Sequence, residues 1–155
     1  MSGPRINRVV ADFKAEATGD QVIRLKDFRG KNVVIYFYPK DSTPGCTTEG
    51  RDFSASHGEF KRAKTVIFGV SRDSIASHEK FKEKQGFTFD LLSDPDEKLC
   101  KQFDVMHEKS LYGRKFMGVV RSTFLIDADG KLRQEWRKVK VAGHAEEVLE
   151  AVKAL

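Results

Sequence analysis

Cysteine is scarce in this chain, with two among 155 residues. That excludes a disulfide framework as the source of stability and makes a reducing, cytoplasmic setting the expectation. There is no Cys-x-x-Cys pair, so a dithiol oxidoreductase is not expected. No Walker or dinucleotide-binding glycine pattern is present. No apolar run approaches the roughly 20 residues of a membrane span, and the stretch Met1 to Val10 lacks the apolar core of a secretory signal, so no membrane association is expected. The four histidines, His57, His78, His107 and His144, stand at no metal-ligand spacing with another histidine or a cysteine, and each is expected at the surface or capping a helix. The net charge of +5 comes from 28 basic and 23 acidic side chains. The two signs are interspersed, as in Lys80-Phe81-Lys82-Glu83-Lys84. The one late basic cluster, Lys131, Arg133, Arg137, Lys138 and Lys140, is broken by Leu132, Glu135 and Trp136. Nucleic-acid binding needs a denser stripe and is not expected.

What is present fits one globular domain over residues 1–155, with 39% hydrophobic and 33% charged residues. Gln21 to Leu25 reads as a short strand, followed by a turn ending near Gly30. Asn32 to Tyr38 is almost wholly β-branched or aromatic after its first residue, which suits a strand buried on both faces. From Cys46 to Arg62 the pattern is helical, with Phe53 and Phe60 on one face. Lys64 to Ser71 is a second buried strand. Ser74 to Gln85 reads as an exposed helix with Ile75 and Phe81 inward and Gly86 as its stop. Thr88 to Leu92 reads as a short strand. Ser93-Asp94-Pro95 has the character of a capped helix start, leading into Leu99, Cys100 and Phe103. Val119 to Ile126 and Lys131 to Trp136 flank Asp127-Ala128-Asp129-Gly130, a hairpin signal. Placing Gly130 at the sixth position of a calcium loop puts Leu125 at the first, so that reading fails. Gly143 to Leu155 forms a last helix with Val148, Ala151 and Val152 inward. Buried strands alternating with helices predict an α/β fold, a mixed central sheet with helices on both faces.

The most informative residue is Cys46, at the end of Tyr36-Phe37-Tyr38-Pro39-Lys40-Asp41-Ser42-Thr43-Pro44-Gly45-Cys46. Thr43 can cap a helix, Pro44 suits its first position, and Gly45 leaves the flank of the backbone open. Cys46 then falls in the first turn, where unpaired N–H groups favour a thiolate. A cysteine merely buried at a strand–helix junction is the competing reading. Helix-start cysteines are the reactive kind, and the local pattern favours chemistry.

The string Pro39-x-x-x-Thr43-x-x-Cys46 resembles the peroxiredoxin active-site motif. Tyr36 through Thr47 is similar to the bacterioferritin comigratory protein (PrxQ) branch of that family. So are Leu91-Leu92-Ser93-Asp94-Pro95-Asp96, the run from Arg121 to Gly130, and Val139-Lys140-Val141-Ala142-Gly143-His144. The resemblance covers the chain beyond about residue 10. It implies a thioredoxin-like fold with an N-terminal extension, and thiol-based reduction of hydrogen peroxide and organic hydroperoxides without metal or organic cofactor. By this resemblance Cys46 is the peroxidatic cysteine, Thr43 holds the peroxide, Pro39 shields the sulfur, and Arg121 pairs with thiolate and peroxide. Gly45 and Glu49 support the site. Glu49 either orders the pocket through a hydrogen bond or is an ordinary first-turn acid facing the helix dipole.

The chain departs from that branch at one informative position. Many such proteins carry a resolving cysteine five residues after the first, and here that position is Arg51. Cys100 is the other cysteine, either a resolving thiol or a small apolar residue packed beside Phe103, and the packing reading is favoured. The expectation is therefore a one-cysteine cycle resolved by an external thiol: thioredoxin, glutaredoxin or a small thiol. A monomer or weak dimer is expected. The competing function is a thioredoxin-fold binding or chaperone protein with little turnover.

Overall fold

The computed structural model describes residues 3–155. A seven-stranded mixed sheet is built around the most apolar segment of the sequence, β3 (Asn32–Phe37). Its parallel neighbour is β4 (Thr65–Ser71), which pairs in turn with parallel β5 (Asp90–Ser93). On its other side β3 pairs antiparallel with β8 (Ser122–Ile126), and β8 with β9 (Leu132–Arg137). At the far edge β1 (Lys14–Ala17) and β2 (Gln21–Arg24) extend the sheet antiparallel from β5.

Strand side chains alternate, so β3 feeds two separate cores. Val33, Ile35 and Phe37 enter one with Phe68, Val70, Leu92, Phe124 and Cys100. Val34, Tyr36 and the following Tyr38 enter the other with Phe53, Phe60, Phe81, Leu91, Val148 and Cys46. The second core lies beneath α1 (Pro44–Ala55), α2 (His57–Arg62), α3 (Ile75–Gln85) and α5 (His144–Lys153). The first is covered by α4 (Lys98–Gln102) and a 3-10 turn, Leu25–Phe28. Helices therefore lie on both faces, as the alternation predicted. Gly69 pairs with Tyr36 in register, and a β-carbon there would stand 2.8 Å from the Tyr36 ring, so only hydrogen fits beneath that ring.

Several expectations are corrected. The segment 119–126 is not one strand: Val119 ends β7 (Arg114–Val119), and the ladder restarts at Ser122, leaving Arg121 in the break. β7 pairs with β6 (Met106–Leu111) in a separate hairpin that the sequence did not reveal. Most of its residues face solvent, so no apolar alternation marks it. The turn is formed by Tyr112 (φ 51°) and Gly113 (φ 76°), both left-handed as a two-residue hairpin requires. The helix expected from Pro95 starts only at Lys98. The Asp94 carboxylate nonetheless accepts from the backbone N–H groups of Leu99 (3.1 Å) and Cys100 (2.8 Å), serving the helix from further upstream. The long pattern from Cys46 is two helices divided at Ser56, with the Phe53 and Phe60 rings 6.0 Å apart. On α3 the inward residues are Phe81 and His78, while Ile75 is only half-buried. Three of the four histidines, His57, His78 and His144, are buried with side-chain partners, which overturns the expectation of surface positions.

Candidate active site

β3 delivers the chain to the loop 38–43, and the loop delivers it to α1. Pro39 lies half-buried in this loop. Thr43 takes the N-cap position with extended backbone (φ −93°, ψ 155°), and Pro44 is the first helical residue. The Thr43 hydroxyl does not bond the helix N–H groups; it donates to the Lys40 carbonyl at 2.8 Å. Its cap is thus one of backbone geometry, with Thr43 O accepting from Thr47 N at 2.9 Å.

Cys46 sits in the first turn, 2% exposed. Arg121 reaches it from the break before β8, with Nη2 donating to Sγ at 3.4 Å. The other arm of the guanidinium, Nη1, donates to Glu49 Oε1 at 2.5 Å. Gly45 explains how the guanidinium approaches: a β-carbon there would meet Arg121 Nη2 at 3.2 Å. The open flank read from the sequence is therefore space for Arg121. Glu49 is not a solvated first-turn acid. It lies in the second turn, 1% exposed, and its Oε2 is buried without a partner. Burial pushes its carboxyl up to about 7, against the opposing pull of Arg121. The Arg121 pKa moves upward, with the Glu49 and Cys46 charges outweighing burial. Lys109 of β6 is pushed down by burial and then by the cations Arg121 and Arg72, and the Cys46 charge acts on it in the opposite direction. The missed hairpin thus brings a further cation within electrostatic reach.

The structure brings Cys46, Gly45, Glu49 and Arg121 into one cluster, with Thr43 at the helix start and Pro39 in the loop before it. It does not bring Cys100 there. Cys100 is fully buried in the core on the other side of the sheet. Burial and hydrogen bonding to Asp94 push its thiol far up. Among the described residues no group of three His, Cys, Asp or Glu side chains could hold a metal ion. No helix among them is long and apolar enough to cross a membrane.

Sequence reasoning missed the polar side chains under the loop. Asp41, Tyr38, Ser77 and His78 are joined by hydrogen bonds across 37 residues of sequence. The signal that could have found them is faint: an aspartate directly following an apolar strand, and a histidine one turn before Phe81 on the inward face of α3.

The family model described as AhpC/TSA matches residues 6–135. Peroxiredoxin Bcp of Xanthomonas campestris is 55% identical over 143 residues, spanning 92% of this chain and 89% of that protein. Peroxiredoxin Bcp of Bacillus subtilis is 48% identical, spanning 96% of this chain and 94% of that one. Among solved structures, the bacterioferritin comigratory protein of X. campestris, described for alkyl peroxide reduction, superposes with a TM-score of 0.91 at 51% identity, covering 99% and 98% of the two chains. PrxQ of Xylella fastidiosa gives a TM-score of 0.94 at 44% identity, with 99% and 98% covered. With a thiol, a guanidinium and a buried acid assembled at the start of a helix, and with likeness along nearly the whole length, the chain belongs to the AhpC/TSA family and, within it, to the Bcp (PrxQ) peroxiredoxins.

Proposed function

We propose that this thiol-dependent peroxidase reduces hydrogen peroxide and organic hydroperoxides at Cys46 and is resolved by a thiol from outside the chain. The Cys46 thiolate attacks the terminal peroxide oxygen, an S–O bond forms and the O–O bond breaks. Sulfur is oxidised by two electrons to the sulfenic acid, and the peroxide leaves as water or alcohol after taking up a proton. An external thiol then condenses with the sulfenic acid, releasing water and leaving a mixed disulfide. A second thiol frees Cys46 and departs in an external disulfide.

The observation that carries this reading is the two-armed Arg121 guanidinium, one arm on Cys46 Sγ at 3.4 Å and the other on buried Glu49 at 2.5 Å. A thiol of ordinary pKa is only about 3% ionised at neutral pH, so complete ionisation gains roughly 30-fold. Enzymes commonly exceed about a million-fold, and lowering a thiol pKa also blunts its nucleophilicity. The larger share is therefore assigned to donors aimed at the breaking O–O bond: Arg121, helix-start N–H groups and the Thr43 hydroxyl, with Pro39 shielding the sulfur. Thr43 must exchange its bond to Lys40 for one to the peroxide.

External resolution is supported by Arg51 standing exposed on α1, and by the burial of Cys100 across the sheet. The reductant is a thioredoxin, a glutaredoxin or a small thiol, the setting cytoplasmic, and the chain a monomer or weak dimer. Peroxide consumption with dithiothreitol tests the whole reading. Wild type consumes peroxide and Cys46→Ser does not; equal rates would remove the catalytic assignment. Intact mass after one equivalent of peroxide shows one added oxygen or an added thiol, not a Cys46–Cys100 disulfide.

A further inference from the structure

Asp41 stands in the loop between β3 and α1 and is 5% exposed. Three side chains converge on its carboxylate. The Tyr38 hydroxyl donates to Oδ1 at 2.7 Å, the Ser77 hydroxyl donates to Oδ2 at 2.8 Å, and His78 Nδ1 lies 2.7 Å from Oδ2. The Asp41 backbone N–H donates to Asp73 Oδ2 at 2.9 Å, an oxygen that also accepts from the Ser71 hydroxyl. His78 is fully buried on α3, and its Nε2 lies 2.8 Å from the Leu92 carbonyl on β5. A carbonyl only accepts, so Nε2 carries a proton. Nδ1 is turned to the Asp41 carboxylate. The imidazole therefore ties α3 and β5 to one loop residue.

Such a network is a poor way to stabilise a core, since a well-packed apolar cluster of the same volume does as well or better. It does fix a position. The next residue, Ser42, has φ 63°, a left-handed conformation that a non-glycine residue rarely adopts. Thr43 follows directly, its hydroxyl on Lys40 O. The strained residue is thus held between an anchored carboxylate and the side chain assigned to the peroxide.

We propose that Asp41 and His78 are positioning residues for peroxide reduction, fixing the loop so that Thr43 is presented to the peroxide beside Cys46. This rests on the assignment of Cys46 as the peroxide-reducing thiol. The network acts through Thr43 on the substrate, whereas the thiolate is held by Arg121 and the helix start. Loss of the network therefore slows peroxide attack and leaves Cys46 ionisation in place.

The test uses the full chain and three variants, His78→Phe, Ser77→Ala and the conservative Ser77→Thr. Stopped-flow measures oxidation of Cys46 by hydrogen peroxide, and the pH profile of iodoacetamide alkylation at Cys46 measures its ionisation. The peroxide rate constant is expected to fall about tenfold in Ser77→Ala and about 100-fold in His78→Phe, as about 1 Å of misplacement would produce. The alkylation midpoint should stay at the wild-type pH, and Ser77→Thr, which keeps the hydroxyl, should keep the rate. Wild-type peroxide rates in folded Ser77→Ala overturn the proposal, whether or not His78→Phe folds. So does an equal loss of peroxide and alkylation rates, which marks general collapse of the site. If wild-type Cys46 reacts no faster than free cysteine, the peroxidase reading falls and takes this proposal with it; fast wild type with equally fast variants removes the proposal alone.

Discussion

Glu49→Gln separates the burial of a carboxyl from its ionisation. In wild type, burial raises the Glu49 pKa from the ordinary 4.5 to about 7. The folded protein therefore holds this proton more tightly than the unfolded chain. The stability gained by keeping the group neutral is fully present below about pH 4.5, and it is lost as pH rises towards 7. At about 1.4 kcal/mol per pKa unit, the loss between pH 5 and pH 8 comes to about 2 to 3 kcal/mol. A glutamine can still accept from Arg121 Nη1, and it does not ionise in this range. Urea unfolding of both proteins at pH 5 and pH 8 measures the difference. Wild type should fall relative to the variant by about that amount at the higher pH. Stabilities that stay parallel across the range, or a gap that opens in the other direction, would refute the assignment of the raised pKa to burial.

Other substitutions probe the remaining contacts. Arg121→Lys keeps the charge and loses the planar fork that spans Cys46 and Glu49; the stopped-flow peroxide rate should fall about 100-fold, and near-wild-type rates would remove the fork from the mechanism. Arg51→Cys places a second thiol beyond the roughly 7 Å reach of a disulfide while α1 stays helical. One peroxide equivalent should give an internal disulfide with loss of helical circular dichroism, and an internal disulfide formed with the helix intact would contradict this geometry. Gly69→Ala drives a methyl to within 2.8 Å of the Tyr36 ring and 2.9 Å of Leu91, so it should cost about 1–3 kcal/mol in denaturant unfolding; an unchanged midpoint would show that the strands yield.

How far the sequence is readable follows the physics of each element. β3 is unmistakable because a strand buried on both faces must be apolar, and Val33 to Phe37 is. The end of α3 is legible because Gly86 adopts the left-handed conformation (φ 70°) that glycine tolerates. The β6–β7 hairpin is hidden because solvent on its sides removes the need for alternation. Cys46 is legible from its place at a helix start. Arg121 came from resemblance alone, since its strand breaks at that residue and its partners lie 72 and 75 positions away. His78 looks like any polar residue on a charged helix, and its burial depends on Asp41, which no local window contains.

The sheet also acts as an electrical partition. One sulfur faces the reactive side and the other is sealed behind a wall of β-branched and aromatic side chains. Under the external resolution proposed above, the circuit closes outside the chain. On that proposal, each copy that meets a peroxide holds two oxidising equivalents on its sulfur until another molecule collects them. The concentration of that collector would then set the steady pace of peroxide removal, and the oxidised fraction of the protein would track the balance between peroxide and reductant around it.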